Sequence, residues 1–185
     1  MMSRRKIAIA AFCSVNVIVA MVLSNSDSYR SQQGNALRFS QEAMEVMGNA
    51  EGCRRDAYLC PARIRTQGIG HTRRISGTVT QADDRQIARW FAEDQLDAQN
   101  CLEQNVERKL GMRLPQSVFD GVGSFVFNVG CSTFLMSTLY RYLIAGSYIA
   151  ACNQLPRWVY AGQEVLPGLV ARRTKEMALC LAVQE

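Results

Sequence analysis

The sequence predicts an α+β domain, mainly helical, with one small sheet near its start. Three observations carry this. Apolar residues recur with helical spacing over most of residues 36–181, whereas alternation punctuated by Gly68, Gly70 and Gly77 is confined to residues 57–80. The chain of 185 residues is 48% hydrophobic and 20% charged, which suits one packed core. No internal repeat or low-complexity tract interrupts it.

The N-terminus reads MMSRRK followed by a segment, Ile7 to Ser26, with no charged residue. Twenty residues at helical rise reach about 30 Å, enough to span a bilayer's hydrocarbon core. The positive flank Arg4, Arg5 and Lys6 predicts a cytoplasmic N-terminus and an exported remainder. Cys13, Ser14 and Asn16 make it a weak anchor. A cleaved signal peptide, cut after Ser24, is the alternative. Residues 27–35 are polar and turn-rich and read as a flexible linker, leaving 36–185 as the folded domain.

Within that domain Leu37, Ser40, Met44 and Met47 form one stripe of a helix over 36–50, and Gly52 stops it. Glu51 therefore stands at the negative end of a helix dipole. A hairpin or three-stranded sheet follows over 57–80. Thr80 reads as the N-cap of a long helix to about Arg108, with Ile87, Phe91, Ala98 and Leu102 on its apolar face. Pro115 suits the first turn of the next helix, which Gly130 ends. Shorter helices are expected over 132–145 and 147–155, and a last one over 167–181.

The net charge is +5, yet Arg4, Arg5 and Lys6 supply three of those charges. No basic stripe with interleaved aromatics remains, so a nucleic-acid partner is not expected. No metal site or cofactor is expected either. Seven cysteines stand at 13, 53, 60, 101, 131, 152 and 180. An exported chain favours disulfides, and the odd count leaves one thiol over. Loss of Cys13 with a signal peptide would leave three static bridges.

Residues 51–72 read E-G-x-R-x-x-A-Y-x-C-P-x-x-x-x-T-x-G-I-G-H-T. This resembles the active-site signature of phage-type lysozymes, the family of the T-even phage enzyme. Two later blocks extend the likeness: LPQSVFDGVGSFVFNVG at 114–130 and PGLVARRTKEMALC at 167–180. The resemblance implies a lysozyme-like fold, a small β lobe and a helical lobe with the active-site cleft between them. It implies a muramidase acting on peptidoglycan, with Glu51 as the catalytic acid and Thr66 positioning the attacking water. His71, the single histidine, falls on a position that buttresses the site.

Cys60 falls where the best-known members carry aspartate. Members with cysteine there are endolysins with a signal-arrest-release segment, and this chain resembles them in three features: a weak N-terminal segment, Cys13 inside it, and Cys53 with Cys60 beside the active site. That likeness implies a tethered, inactive form with a Cys53–Cys60 bond. After release from the host inner membrane, the Cys13 thiolate attacks Cys53 and expels Cys60. The export machinery and the inner membrane are then partners, the folded domain is periplasmic, and a monomer is expected.

Cys101 with Cys131 and Cys152 with Cys180 are the favoured structural pairs among three possible connectivities. Each closes a loop of about 30 residues, stabilising by roughly 3–4 kcal/mol in the chain-entropy model. Two other functions stay open at this point. A lytic transglycosylase needs one carboxylate and no water. A non-catalytic wall-binding protein would tolerate loss of the second carboxylate.

Overall fold

The structure, a computed structural model, describes residues 12–59, 63–73, 75 and 81–182. The predicted Thr80 cap, Gly77, Cys60 and residues 1–11, which include the start of the hydrophobic segment, lie outside those residues.

Ser14 caps the first helix, α1 (Val15–Leu23), its hydroxyl oxygen accepting the Val17 N–H at 3.5 Å. One face of α1 enters the core, where Ile18, Val19 and Val22 are fully buried. Each such side chain stabilises the fold by about 1.5–3 kcal/mol through removal of apolar area from water. Asn16 and Ala20 stay on the exposed face. Among the described residues no helix is long and apolar enough to cross a membrane.

The stretch expected to be a flexible linker is a hydrogen-bonded turn. The Ser31 N–H donates to the Asn35 carbonyl at 2.8 Å, and the Gly34 N–H donates to the Ser31 carbonyl at 2.9 Å. Gly34 supplies the positive φ (81°) that the turn needs. Polar composition misleads here because helix α3 (Asp84–Leu102) and the turn of π-helix after it (Glu103–Glu107) satisfy the polar groups. Asn35 Nδ2, for example, donates to Glu103 Oε1 at 3.2 Å.

Helix α2 (Gln41–Glu51) begins later than the apolar stripe suggested, because Ser40 is its cap and accepts the Ala43 N–H at 3.1 Å. Residues 36–39 instead lead in from a bridge between Arg30 and Ala36. Strands β1 (Arg54–Leu59) and β2 (Arg65–Gly68) form an antiparallel pair with an irregular register between Arg54 and Tyr58. Asp83 caps α3 by accepting the Gln86 N–H at 2.8 Å. The predicted long helix continues past the π-turn into a short α4 (Arg108–Leu110).

Helix α5 (Gln116–Val129) follows Pro115 and is the centre of the helical lobe, packing against α2, α3 and the last helix, α9 (Pro167–Leu181). The single helix expected over 132–145 is two, α6 (Cys131–Leu135) and α7 (Thr138–Ile144). Ser137 breaks it by capping α7, accepting the Tyr140 N–H at 3.0 Å. Helix α8 (Tyr148–Cys152) is short. A second small hairpin, β3 (Tyr160–Ala161) with β4 (Glu164–Val165), turns at Gly162 and has no counterpart among the elements expected from sequence.

Among the described residues three disulfides join distant elements: Cys13–Cys53, Cys101–Cys131 and Cys152–Cys180. The first ties the residue before the α1 cap to the loop after α2. The others tie α3 to α6 and α8 to α9. Where α5 meets α9, Gly121 permits the contact: a Cβ there would lie 2.5 Å from both Cys180 Cβ and the Glu176 carbonyl oxygen. Backbone cannot yield as a side-chain tip can. Gly121→Ala is therefore expected to cost about 1–3 kcal/mol through overpacking, read as a lowered melting temperature. Gly168→Ala, with open space around it, should leave the melt nearly unchanged.

Candidate active site

Glu51 is the last residue of α2, and Gly52, at φ 73°, turns the chain from it toward β1. Its side chain is 26% exposed. One oxygen, Oε1, accepts from Arg172 Nη1 of α9 at 2.6 Å. The other faces the turn after β2, where Gly70 (φ 71°) approaches so closely that a Cβ would meet Oε2 at 3.1 Å. A glycine is needed there both for its positive φ and for the space.

Arg172 is itself held from behind. Its Nε donates to Glu176 Oε1 at 2.9 Å and its Nη2 to the Ser124 carbonyl at 3.4 Å. Glu176 is fully buried. It also accepts from Ser124 Oγ at 2.8 Å and pairs through Oε2 with Arg173 Nη1. Arg173 in turn donates to Asn128 Oδ1 and to the Trp158 carbonyl, and lies over the Phe125 ring at 4.9 Å. Burial pushes the Arg173 guanidinium below its ordinary value, while the Glu176 carboxylate opposes that shift. This network fixes the catalytic candidate to the opposite end of the chain.

Glu51 opens into a cleft of about 640 Å³ between the β lobe and the faces of α3 and α5. Gly70, Thr72, Asp97, Phe127 and Asn128 contribute to its walls. Thr66 lies in β2 and is buried, its hydroxyl donating to the Ile64 carbonyl at 3.1 Å. His71, also buried, shares a hydrogen bond at 2.9 Å between its Nδ1 and Asp94 Oδ2, and stacks on Trp90 with ring centroids 4.8 Å apart. Arg73 bridges Asp94 Oδ1 at 2.5 Å and Asp97 Oδ2 at 2.7 Å. The β lobe is thus pinned to α3 at the cleft's edge.

The Cys13–Cys53 bond lies two residues beyond Glu51, and the Cys13 N–H donates to the Cys53 carbonyl at 3.3 Å. Cys60 lies outside the described residues. Sequence reasoning did not single out Arg172, Arg173, Glu176 or Asp94. The R-R-x-x-E run carries one usable signal, an i, i+4 ion pair on a helix. Its partner Glu51, 121 residues away, carries none. Among the described residues no cluster of His, Cys, Asp and Glu could hold a metal ion.

A family model for phage lysozyme matches residues 48–176. The SAR-endolysin of Escherichia phage P1 is 34% identical over 182 residues, covering 92% of this chain and 91% of that protein. The SAR-endolysin of Haemophilus phage HP1 is 30% identical over 188 residues, covering 96% of this chain and 98% of that one. Among solved structures, the active form of the phage P1 endolysin is similar with a TM-score of 0.78 at 33% identity, covering 92% of this chain and 95% of that one. The secreted inactive form of the phage P1 endolysin gives 0.54 at 33% identity, covering 78% and 96%.

Removing the buried carboxylate at the centre of the network should be costly. Glu176→Ala strands two buried guanidinium groups, and is expected to destabilise the fold by about 3–5 kcal/mol. Urea unfolding should show this as a lowered midpoint with little change in slope.

Proposed function

The chain belongs to the phage lysozyme family, and on that premise we propose that it is an endolysin, a muramidase with Glu51 as its proton donor. Family membership makes it a glycoside hydrolase. Its bond is the β-1,4 link between N-acetylmuramic acid and N-acetylglucosamine in peptidoglycan, cleaved for host lysis. The observation that carries this is Glu51 itself, a carboxyl held on one oxygen by Arg172 and open to the cleft. A glycosidase needs such a donor, positioned against the leaving oxygen.

The second function in the reaction falls to Thr66 and Cys60. With its proton committed to the Ile64 carbonyl, the Thr66 hydroxyl oxygen keeps lone pairs that can accept from the attacking water. Cys60 completes the set, as a thiolate that holds or activates that water. His71 supports the site through Asp94 and α3.

Control resides in the N-terminal segment. Residues 1–26 pass through the export machinery and hold the enzyme at the host inner membrane, with the catalytic domain in the periplasm. In that state a Cys53–Cys60 bond blocks the site. Upon release, the Cys13 thiolate attacks the Cys53 sulfur, the Cys53–Cys60 bond breaks, and Cys60 leaves as the thiolate. Two findings support this sequence. Cys53 is bonded to Cys13, so its sulfur is not available to Cys60. The fold is also closer to the active form of the phage P1 endolysin than to its secreted inactive form.

Glu51→Gln is expected to lower clearing of isolated peptidoglycan by at least about 100-fold, the usual minimum worth of a general acid. Undiminished clearing would remove Glu51 from the role. Products of the native enzyme should carry reducing ends, whereas anhydro-muramic ends would identify a transglycosylase. Cys13→Ser is expected to stay inactive after release, with Cys60 still blocked on non-reducing peptide mapping. Activation equal to the native chain, or a mature protein lacking residues 1–24, would sink the exchange.

A further inference from the structure

Residues 29–35, between α1 and α2, lie outside the stretch that matches the family model. Yet Gln32, within that turn, lines the same cleft as Glu51, beside Asn100 and Gln104. Its backbone N–H donates to Asn100 Oδ1 at 2.7 Å, and its side-chain oxygen accepts from Gln104 Nε2 at 2.6 Å. The turn is anchored further by Asn35, which meets Glu103 and accepts from Arg113 Nη2 at 3.0 Å.

The Gln32–Gln104 bond joins two primary amides head to tail. It uses the Gln32 oxygen and one Gln104 N–H. The Gln32 NH2 group, the second Gln104 N–H and the Gln104 carbonyl oxygen remain, and among the hydrogen bonds of the described residues none of these is engaged. Both side chains are exposed. The pair therefore offers both donors and an acceptor to the cleft, which complements a secondary amide with its one C=O and one N–H.

We propose that residues 29–35 form an additional wall of the substrate cleft, on which Gln32 and Gln104 bind a secondary amide of the glycan strand. This rests on the cleft's being the peptidoglycan site. The wall follows α1 after one short 3-10 turn (Ser26–Ser28), so its position is tied to α1 being docked, with Ile18, Val19 and Val22 in the core. Docking of the N-terminal segment therefore completes the binding surface, a role separate from any effect on Cys60. Peptidoglycan carries secondary amides of two origins, the acetamido groups of its sugars and the bonds of its stem peptides, and the chemistry is shared.

The test measures KM and kcat of the released enzyme on soluble glycan fragments, with stem peptides intact and with stem peptides removed. Gln32→Ala should raise KM about three- to tenfold, the worth of one to two hydrogen bonds, with kcat within about twofold. Adding Gln104→Ala should cost little more, because the two side chains act as one unit. A rise on both fragments assigns the acetamido group, and a rise only on intact fragments assigns the stem peptide. Melting temperatures of the variants should match the native protein. Glu51→Gln, run in parallel, separates the two levels. Lost cleavage there, with unchanged KM for Gln32→Ala on both fragments, overturns this proposal alone. Retained cleavage in Glu51→Gln overturns the reading of the cleft and this proposal with it.

Discussion

The carboxylate of Glu176 is the constraint on which the site depends. It is fully buried and receives Arg172 on one oxygen and Arg173 on the other. An unpaired charge so placed would be expensive, and two guanidinium groups without it more so. The group is therefore held in one arrangement, and Arg172 can present Nη1 to Glu51 at a fixed point. Arg173 extends the same arrangement to Asn128 at the end of α5. Close approach of α9 to α5 at Gly121 is what brings these groups together. Packing and electrostatics thus serve one end, a carboxyl at the cleft with one oxygen tied.

A second constraint acts at the N-terminus. Under the proposed release, a segment that leaves a membrane and then joins a protein would face opposite demands. A strongly apolar helix would not leave; a strongly polar one would neither enter the bilayer nor pack in a core. α1 meets both by dividing its faces. Ile18, Val19 and Val22 point into the core, while Asn16 and Ala20 stay in water. Ser14, which weakens the segment as a membrane span, caps the helix once it is docked. The same polar atoms are a defect in one environment and a stabilising feature in the other.

Much of the chain was legible because its signals are local. Gly52 ends α2 and Pro167 opens α9 where the sequence placed them, since caps and breakers act within a few residues. The mainly helical class with one early small sheet likewise follows from periodicity. Errors arose where a local signal had two outcomes. A polar, Gly-containing stretch at 27–35 reads as linker, yet it is ordered by Asn100, Glu103 and Gln104, which no local rule can supply. By periodicity Ser137 reads as one more residue of a helix, although a serine is as much a cap.

Glu51 could be chosen as the acid candidate from sequence because the block it opens resembles the phage-lysozyme signature, and helix end, turn and hairpin are neighbours in the chain. What holds it could not. Arg172 stands 121 residues away, Ser124 lies between them in sequence, and Gln32, which precedes α2 in the chain, lines the same cleft. By itself the sequence determined the mainly helical class and those element ends that a local cap or breaker marks, such as Gly52 and Pro167, since these depend on short-range sterics and hydrogen bonding. Only the tertiary structure decided which charges meet. Coulombic and hydrogen-bond partners are set by distance in space, and packing of α9 on α5 and of α1 on α2 and α3 creates distances that chain order does not contain.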